Sequence, residues 1–347
     1  MRIPGFDIHD KIGEGATAAV WKAYQVSLGR MTAVKILKPE CAAKPEEVKD
    51  FIAEARSAAR LKHPNIVQVY DVGNQDGTHY FVMEYVDGPT VSQMLSRQSR
   101  LSAKKALKIA KDVADALHRA WEDVGIIHRD IKPDNIMLDK DGTVKLADLG
   151  LAKIVKHAKT TGEEPRRLEG TPNYMSPEQA GCDTDLDVTS DMYSMGATLY
   201  HMVTGKLPFG DSSPDRVVDL QIEGHLVNPR EIEPSISIGL AQLITNLMMK
   251  KKEDRYSDWQ EAIADFRKVS AGRILLAGHG SGADSTISPV SGKSTTKSTT
   301  KTRKQAVGSK RSSDDASPSK RVPGVVQFTA WSLMVLWWIV LAYKLLG

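Results

Sequence analysis

Eight consecutive residues, His128-Arg129-Asp130-Ile131-Lys132-Pro133-Asp134-Asn135, are followed thirteen residues later by Asp148-Leu149-Gly150. No other feature constrains the chain as much. A base, a lysine, an asparagine and a second aspartate fall within one short segment, and phosphoryl transfer from a magnesium nucleotide to a hydroxyl needs those groups. Asp130 can accept the hydroxyl proton, Lys132 can offset the charge on the moving phosphoryl, and Asn135 and Asp148 can hold Mg2+ on the phosphates of ATP. An ordered match over eight positions is far more specific than an isolated glycine pattern.

Upstream residues complete a nucleotide site in the order such a site requires. Ile12, Gly13, Glu14, Gly15, Ala16, Thr17, Ala18, Ala19 and Val20 lie between two strand-like runs. Gly13 and Gly15 let backbone approach phosphate without a Cβ in the way. Fifteen residues beyond Val20, Lys35 ends the strand-like run Thr32-Ala33-Val34-Lys35 and is placed to bridge phosphates. It needs an anionic partner. Glu46 and Glu47 sit at the start of a helical pattern, where carboxylates suit the helix dipole. Glu54 falls in the inward-facing stretch Phe51-Ile52-Ala53-Glu54-Ala55 and is the expected partner. Met83-Glu84-Tyr85-Val86 ends a later strand, and Glu84 and Val86 are the expected backbone contacts to adenine.

The 347 residues divide into three segments. Residues 1–270 read first as strands, in Phe6–Lys38, Ile66–Val72 and Tyr80–Tyr85, with one helical period over 45–62. Long helical patterns then dominate at 103–123, 188–204, 239–250 and 257–269. A strand-rich first third and a helix-rich remainder predict an α+β protein of two unequal lobes. Residues 271–321 are Ser, Thr, Lys and Gly with almost no large apolar side chain, which predicts a disordered linker. Residues 325–346 are 22 apolar-rich positions, about 33 Å as a helix, which matches a bilayer core. A C-terminal helix docked on the body is the blander reading, disfavoured by the length of the run and the linker before it. Lys310, Arg311, Lys320 and Arg321 before the span place its N-terminal side in the cytosol.

Charge follows the same division. Residues 271–347 carry 11 Lys/Arg against 3 Asp/Glu, and residues 1–270 carry 36 against 40. A mildly acidic body with a basic tail argues against nucleic acid as a partner and for an anionic surface near the tail. Two cysteines, Cys41 and Cys182, are too few for a disulfide framework.

With these motifs in place, residues 6–269 resemble the eukaryotic-like (Hanks-type) protein kinases. They are most similar to the bacterial membrane-anchored serine/threonine kinases, on the phrases 80–88 and 191–209. The resemblance implies the two-lobed kinase fold, with a small β-rich N-lobe and a large helical C-lobe. It implies ATP contacts at Ile12 through Val20 and Lys35, with the catalytic base at Asp130 and magnesium at Asn135 and Asp148. It further implies that Ser176-Pro177-Glu178 closes the activation segment with Glu178 paired to Arg255, and that Asp191 braces the catalytic loop. Lys132 points to Ser/Thr rather than Tyr substrates. Three departures stand out: Ala18 for glycine, Leu149 for phenylalanine, and Ser176 for alanine, the last a minor change on the sequence alone.

The expected enzyme therefore transfers the γ-phosphoryl of Mg-ATP to protein Ser/Thr hydroxyls. It sits at the cytoplasmic membrane as a single-pass protein, its kinase domain in the cytosol. Thr160 or Thr161 is the expected site of trans-autophosphorylation, for which a homodimer would serve, and a phosphate there would face Arg129. A pseudokinase is disfavoured because Lys35, Asp130, Asn135 and Asp148 are all present. A small-molecule phosphotransferase is disfavoured by the intact activation segment.

Overall fold

The computed structural model describes residues 2–148, the backbone of 153–154, and residues 172–210 and 213–275. The chain divides into two compact units, Met1–Asp284 and Ser285–Gly347, of which the second lies wholly outside the described residues. The linker beyond residue 275, the apolar run 325–346, Leu149, Thr160 and Thr161 also lie outside them. Among the described residues no helix is long and apolar enough to cross a membrane.

Five strands form one antiparallel sheet: β1 Phe6–Glu14, β2 Ala18–Gln25, β3 Arg30–Leu37, β4 Val69–Gln75 and β5 Thr78–Glu84, in the order β1-β2-β3-β5-β4. Between β3 and β4 come a short helix, α1 (Pro39–Ala42), and a long one, α2 (Pro45–Ala59). Proline at the first turn and Glu46 and Glu47 behind it start α2. Phe51, Ala55 and Ala58 form its buried stripe, packed with Leu61, Ile66, Val69 and Phe81. Ala59 is exposed, and the stripe ends on Ala58. The opposite face of the sheet carries its own small core of Ile3, Ala23, Val34, Ile36 and Val82.

The apolar run Ile66–Val72 does not form one strand. Strand β4 starts at Val69, and Ile66 and Val67 are buried for a different reason. They lie along β8 (Val144–Leu146), which pairs with β7 (Ile136–Leu138). Val67 N–H donates to Leu146 O at 2.9 Å, and Leu146 N–H to Asn65 O at 2.8 Å. Hydrogen bonds of sheet type thus join the first lobe to the second below the cleft.

The remaining helices are α3 Val91–Gln98, α4 Ala103–Val124, α5 Pro177–Ala180, α6 Val188–Thr204, α7 Pro214–Glu223, α8 Pro229–Ile232, α9 Ile238–Leu247 and α10 Trp259–Ser270. A two-residue strand β6 (Ile126–Ile127) pairs with β9 (Lys153–Ile154). Helix α4 is capped by Ser102 and stopped by Gly125 in the left-handed conformation, φ 70°. Helix α6 has every side chain but His201 buried. A helix buried all round is a central post, and α4, α8 and α9 pack on it. The catalytic loop is built against its N-terminus.

Candidate active site

Cross-strand register sets the upper wall of the site. Gly13 lies opposite Val20, Val20 opposite Lys35, and Lys35 opposite Phe81. Directly paired residues share a sheet face, so the glycine turn, Val20 and Lys35 all face the same way. An added Cβ at Gly13 or Gly15 would lie 3.6 or 3.5 Å from its nearest neighbour, an ordinary contact. Among the described residues no contact demands glycine at either position, which is consistent with a loop open to a ligand. Ala18 is 3% exposed and belongs to the core with Leu37 and Cys41. Its methyl is taken up by packing, which explains how alanine is tolerated there. Glu14, at the loop edge, is bound by Lys11 and by Lys38 at 3.3 Å, and Ile12 is exposed.

Lys35 bridges the lobes. Its Nζ donates to Glu54 Oε1 at 2.7 Å and to Asp148 Oδ1 at 2.5 Å. Of the three candidate glutamates on α2, Glu54 is the one that reaches it. Burial works against the Lys35 charge, but the Asp148 and Glu54 carboxylates outweigh it and raise its pKa, so it stays an ammonium. Burial likewise pushes the Asp148 carboxyl up, and Lys35 more than reverses this, so Asp148 sits below its ordinary range. The Asp148 side chain is 48% exposed on the cleft side. Its φ of 63° is rare for a residue with a Cβ, and such strain persists where the surroundings impose it. Here Ala147 N–H donates to Asn135 O at 2.8 Å, and His128 Nε2 lies 3.1 Å from Ala147 O. The peptide before Asp148 is therefore pinned from both sides.

The catalytic loop is strained at the same level. Arg129 has φ 70°, and buried Asp191 of α6 accepts from His128 N–H and Arg129 N–H at 2.7 Å each. This turn carries Asp130 out to the cleft. Lys132 Nζ lies 2.7 Å from Asp130 Oδ2, and Asn135 Nδ2 donates to Asp130 O at 2.8 Å and Oδ2 at 3.1 Å. Two groups result, Lys35 with Glu54 and Asp148 and Asp130 with Lys132 and Asn135, joined through the backbone bond from Ala147 N–H to Asn135 O. Mg2+ takes oxygen ligands in an octahedron and usually keeps waters and substrate oxygens. Asn135 Oδ1 and the ionised, half-exposed Asp148 fit as the protein's share of such a shell. Among the described residues no cluster of three or more His, Cys, Asp or Glu is arranged to hold a metal.

Three features escaped the sequence reading. Glu84 Oε1 pairs with Lys145 of β8 at 2.6 Å and its Oε2 accepts from Gln68 N–H at 3.2 Å, so its side chain turns away from the nucleotide. Its backbone N–H also donates to Gln68 O at 2.9 Å, so its carbonyl and the backbone of Val86 are the groups that could meet adenine. Gln179 Nε2 donates to Arg129 O at 2.8 Å and ties the segment after residue 172 to the catalytic loop. Gln179 also closes a capping box with Ser176, so serine for alanine there caps α5 and is no minor change. The pattern Ser-x-x-Gln before an apolar position was the available signal. Behind it, Arg255 holds both Glu178 oxygens, at 2.7 and 2.8 Å.

Comparison with known proteins adds the family. The profile described as the protein kinase domain matches residues 6–266. This chain belongs to the protein kinase domain family. Its curated relatives include a probable serine/threonine-protein kinase of Clostridium acetobutylicum, 38% identical over 264 residues, which are 76% of this chain and 40% of that one. One from Clostridium perfringens is 39% identical over 264 residues, 76% and 38% of the two chains. The serine/threonine-protein kinase PknB of Mycobacterium leprae is 35% identical over 272 residues, 77% and 43%. The chain spans about two fifths of the length of these relatives. The region it shares with them holds the two-lobed fold of a serine/threonine protein kinase domain.

Proposed function

We propose that the protein transfers the γ-phosphoryl group of ATP to Ser or Thr hydroxyls of proteins. The observation that carries this reading is the single ammonium of Lys35 shared between Glu54 and Asp148, beside the linked Asp130, Lys132 and Asn135. Asp130 orients the attacking hydroxyl and accepts its proton. Lys132 offsets charge at the same oxygen, and Lys35 holds the phosphates against the glycine turn. Asn135 and Asp148 would hold Mg2+, which neutralises charge spread over the phosphate oxygens. The segment from Pro172 to Glu178, bonded through Gln179 to the catalytic loop, is the platform for the polypeptide.

Replacing Asp130 with asparagine tests the reading. Peptide phosphorylation should fall by about 10²–10⁴-fold, with ATP affinity by calorimetry nearly unchanged. Full activity in that variant, or loss of ATP binding, would overturn the role given to Asp130.

The reading extends to the basic tail. Residues 325–346 act as the membrane anchor, joined to the kinase domain at 6–269 by the linker 271–321, with the domain on the cytosolic side. Anchoring raises local concentration, which favours paired copies and phosphorylation of Thr160 or Thr161 in trans. Support comes from the apolar length and flanking charge. Carbonate extraction of the full chain from membranes, or active protein unmodified at both threonines by mass spectrometry, would remove the respective parts.

A further inference from the structure

A second polar network lies behind the polypeptide platform, on the far side from the catalytic loop. Gln221, in the last turns of α7, is 0% exposed. Its Nε2 donates to Pro172 O at 2.8 Å, and its Oε1 accepts from the Tyr193 hydroxyl at 2.8 Å. Lys250 Nζ donates to the backbone oxygens of Gln221 at 2.7 Å and Leu220 at 3.1 Å, and to the Tyr193 hydroxyl at 3.2 Å. The same ammonium lies 4.1 Å from the Phe209 ring centroid. The Arg255 guanidinium, bound to Glu178, lies 5.0 Å from the ring centroid of Tyr193. One chain of contacts therefore runs from Pro172, at one end of the platform, through Gln221, Tyr193 and Arg255 to Glu178 at the other.

Packing alone does not require this. A buried amide in α7 is costly unless both its ends are used, and a leucine would fill the space without that cost. Both ends are used, and the donor end goes to a single carbonyl of the platform. Gln179 fixes the other side of the platform to Arg129. The stretch from Pro172 to Ser176 is thus held between the residue preceding the base and helix α7.

We propose that Gln221, oriented by Tyr193 and Lys250, is a positioning residue for the polypeptide substrate: it sets the height of the platform at Pro172 relative to Asp130. This inference rests on the kinase reading and deepens it, because it assigns substrate docking to a contact that ATP never feels. A looser platform admits the peptide in more poses, fewer of which put a hydroxyl at Asp130. The effect falls on peptide KM and leaves the nucleotide alone.

The test is steady-state kinetics on the full chain, with a Ser/Thr peptide chosen from an arrayed library for transfer by the wild type. Gln221→Leu should raise the peptide KM by about tenfold, as loss of a buried hydrogen bond implies. The KM for ATP and peptide-independent ATP hydrolysis should stay within about twofold. Gln221→Glu keeps the acceptor for Tyr193 but loses the donor to Pro172, and should show the same split. Tyr193→Phe removes only the orienting hydroxyl and should give a smaller rise of about threefold. These two variants keep the question answerable if Gln221→Leu fails to fold. Unchanged peptide KM in a folded Gln221 variant would overturn the proposal. So would ATP and peptide constants that worsen together. A wild type that hydrolyses ATP but modifies no peptide would overturn the kinase reading first, and this inference with it.

Discussion

Lys35 and Arg255 are both cations held by carboxylates, and the fold uses them in opposite ways. Arg255 is closed off. Its five N–H donors go to both Glu178 oxygens and to the carbonyls of Thr189, Met249 and Lys250, at 2.7–3.0 Å. Nothing remains for a ligand, and its side chain is 0% exposed. Among the described residues Lys35 makes two hydrogen bonds of the three an ammonium can donate. One of its acceptors, Asp148, is half exposed and conformationally strained. A saturated charge network fixes structure, and an unsaturated one facing a cleft is available for chemistry.

The sharpest way to break that contrast is to remove each cation. Arg255→Leu strands a buried carboxylate and three carbonyls, and should cost about 3–5 kcal/mol of stability by denaturant unfolding. Lys35→Met should cost at most about 1 kcal/mol. Water reaches that site, and Glu54, which burial already pushes upward, can take a proton. Its activity should nevertheless fall by at least about 10²-fold in kcat/KM for ATP. If both variants lose stability equally, the distinction between the two networks is wrong.

Asp191 sits between these extremes: its environment is that of Arg255, but its purpose is that of the active site. Burial pushes its carboxyl up, and the N–H groups of His128 and Arg129 pull it back only in part. Asparagine can accept only one of those two bonds well, so Asp191→Asn leaves a buried N–H unpaired in a strained loop. The expected cost is about 1–3 kcal/mol of stability, together with a fall in kcat that exceeds any change in the KM for ATP. A stable variant with wild-type kcat would show that the turn at Arg129 holds without its brace.

The chemistry was easier to read from the chain than the supports around it. Asp130, Asn135 and Asp148 were legible because a reactive group must have one chemical identity at one spacing. Glu54 followed from the helical period of α2, which leaves one glutamate facing inward. Helix α6 was found over its full length, 188–204, because its large apolar side chains recur along the whole segment. Helices α3 and α7 were missed, since both are short and polar on most sides, with few apolar positions to set a period. Gln221 could not have been found, because a glutamine in an amphipathic helix reads as surface until a neighbouring segment covers it. Glu84 shows the same limit from the other side. Its place in the hinge was legible, but its pairing with Lys145 depends on a strand sixty residues away.

Acid gives a milder test of the closed network. Burial raises the Glu178 carboxyl, but Arg255 and the Ser190 hydroxyl outweigh it, so its folded pKa lies below the ordinary 4.5. A depressed acid stabilises the fold above its unfolded pKa, and that contribution disappears as pH falls through the folded value. The melting temperature should therefore decline below about pH 4.5, with a shallower decline in Glu178→Gln, which starts lower at neutral pH. An acid limb of the same steepness in both proteins would assign the loss to other carboxylates.

The smallest effects belong to the two family departures within the described residues, one in each lobe, and they should separate by the same logic. Ser176 is fully buried, accepts from Gln179 N–H at 3.3 Å and receives the Gln179 side chain in return. Ser176→Ala restores the usual family residue yet removes this cap, which should cost about 1 kcal/mol. Gln179 also holds Arg129 O, so peptide KM should rise modestly as the platform loosens. Ala18→Gly likewise restores the family pattern. It deletes a buried methyl of the first-lobe core, at about 1 kcal/mol. Because that methyl packs with Leu37 and Cys41 instead of pointing toward phosphate, the KM for ATP should not move. A tighter ATP KM in Ala18→Gly would mean that the loop, and not the core beneath it, feels the substitution. The first lobe would then be strained toward its ligand in a way these side-chain contacts do not require.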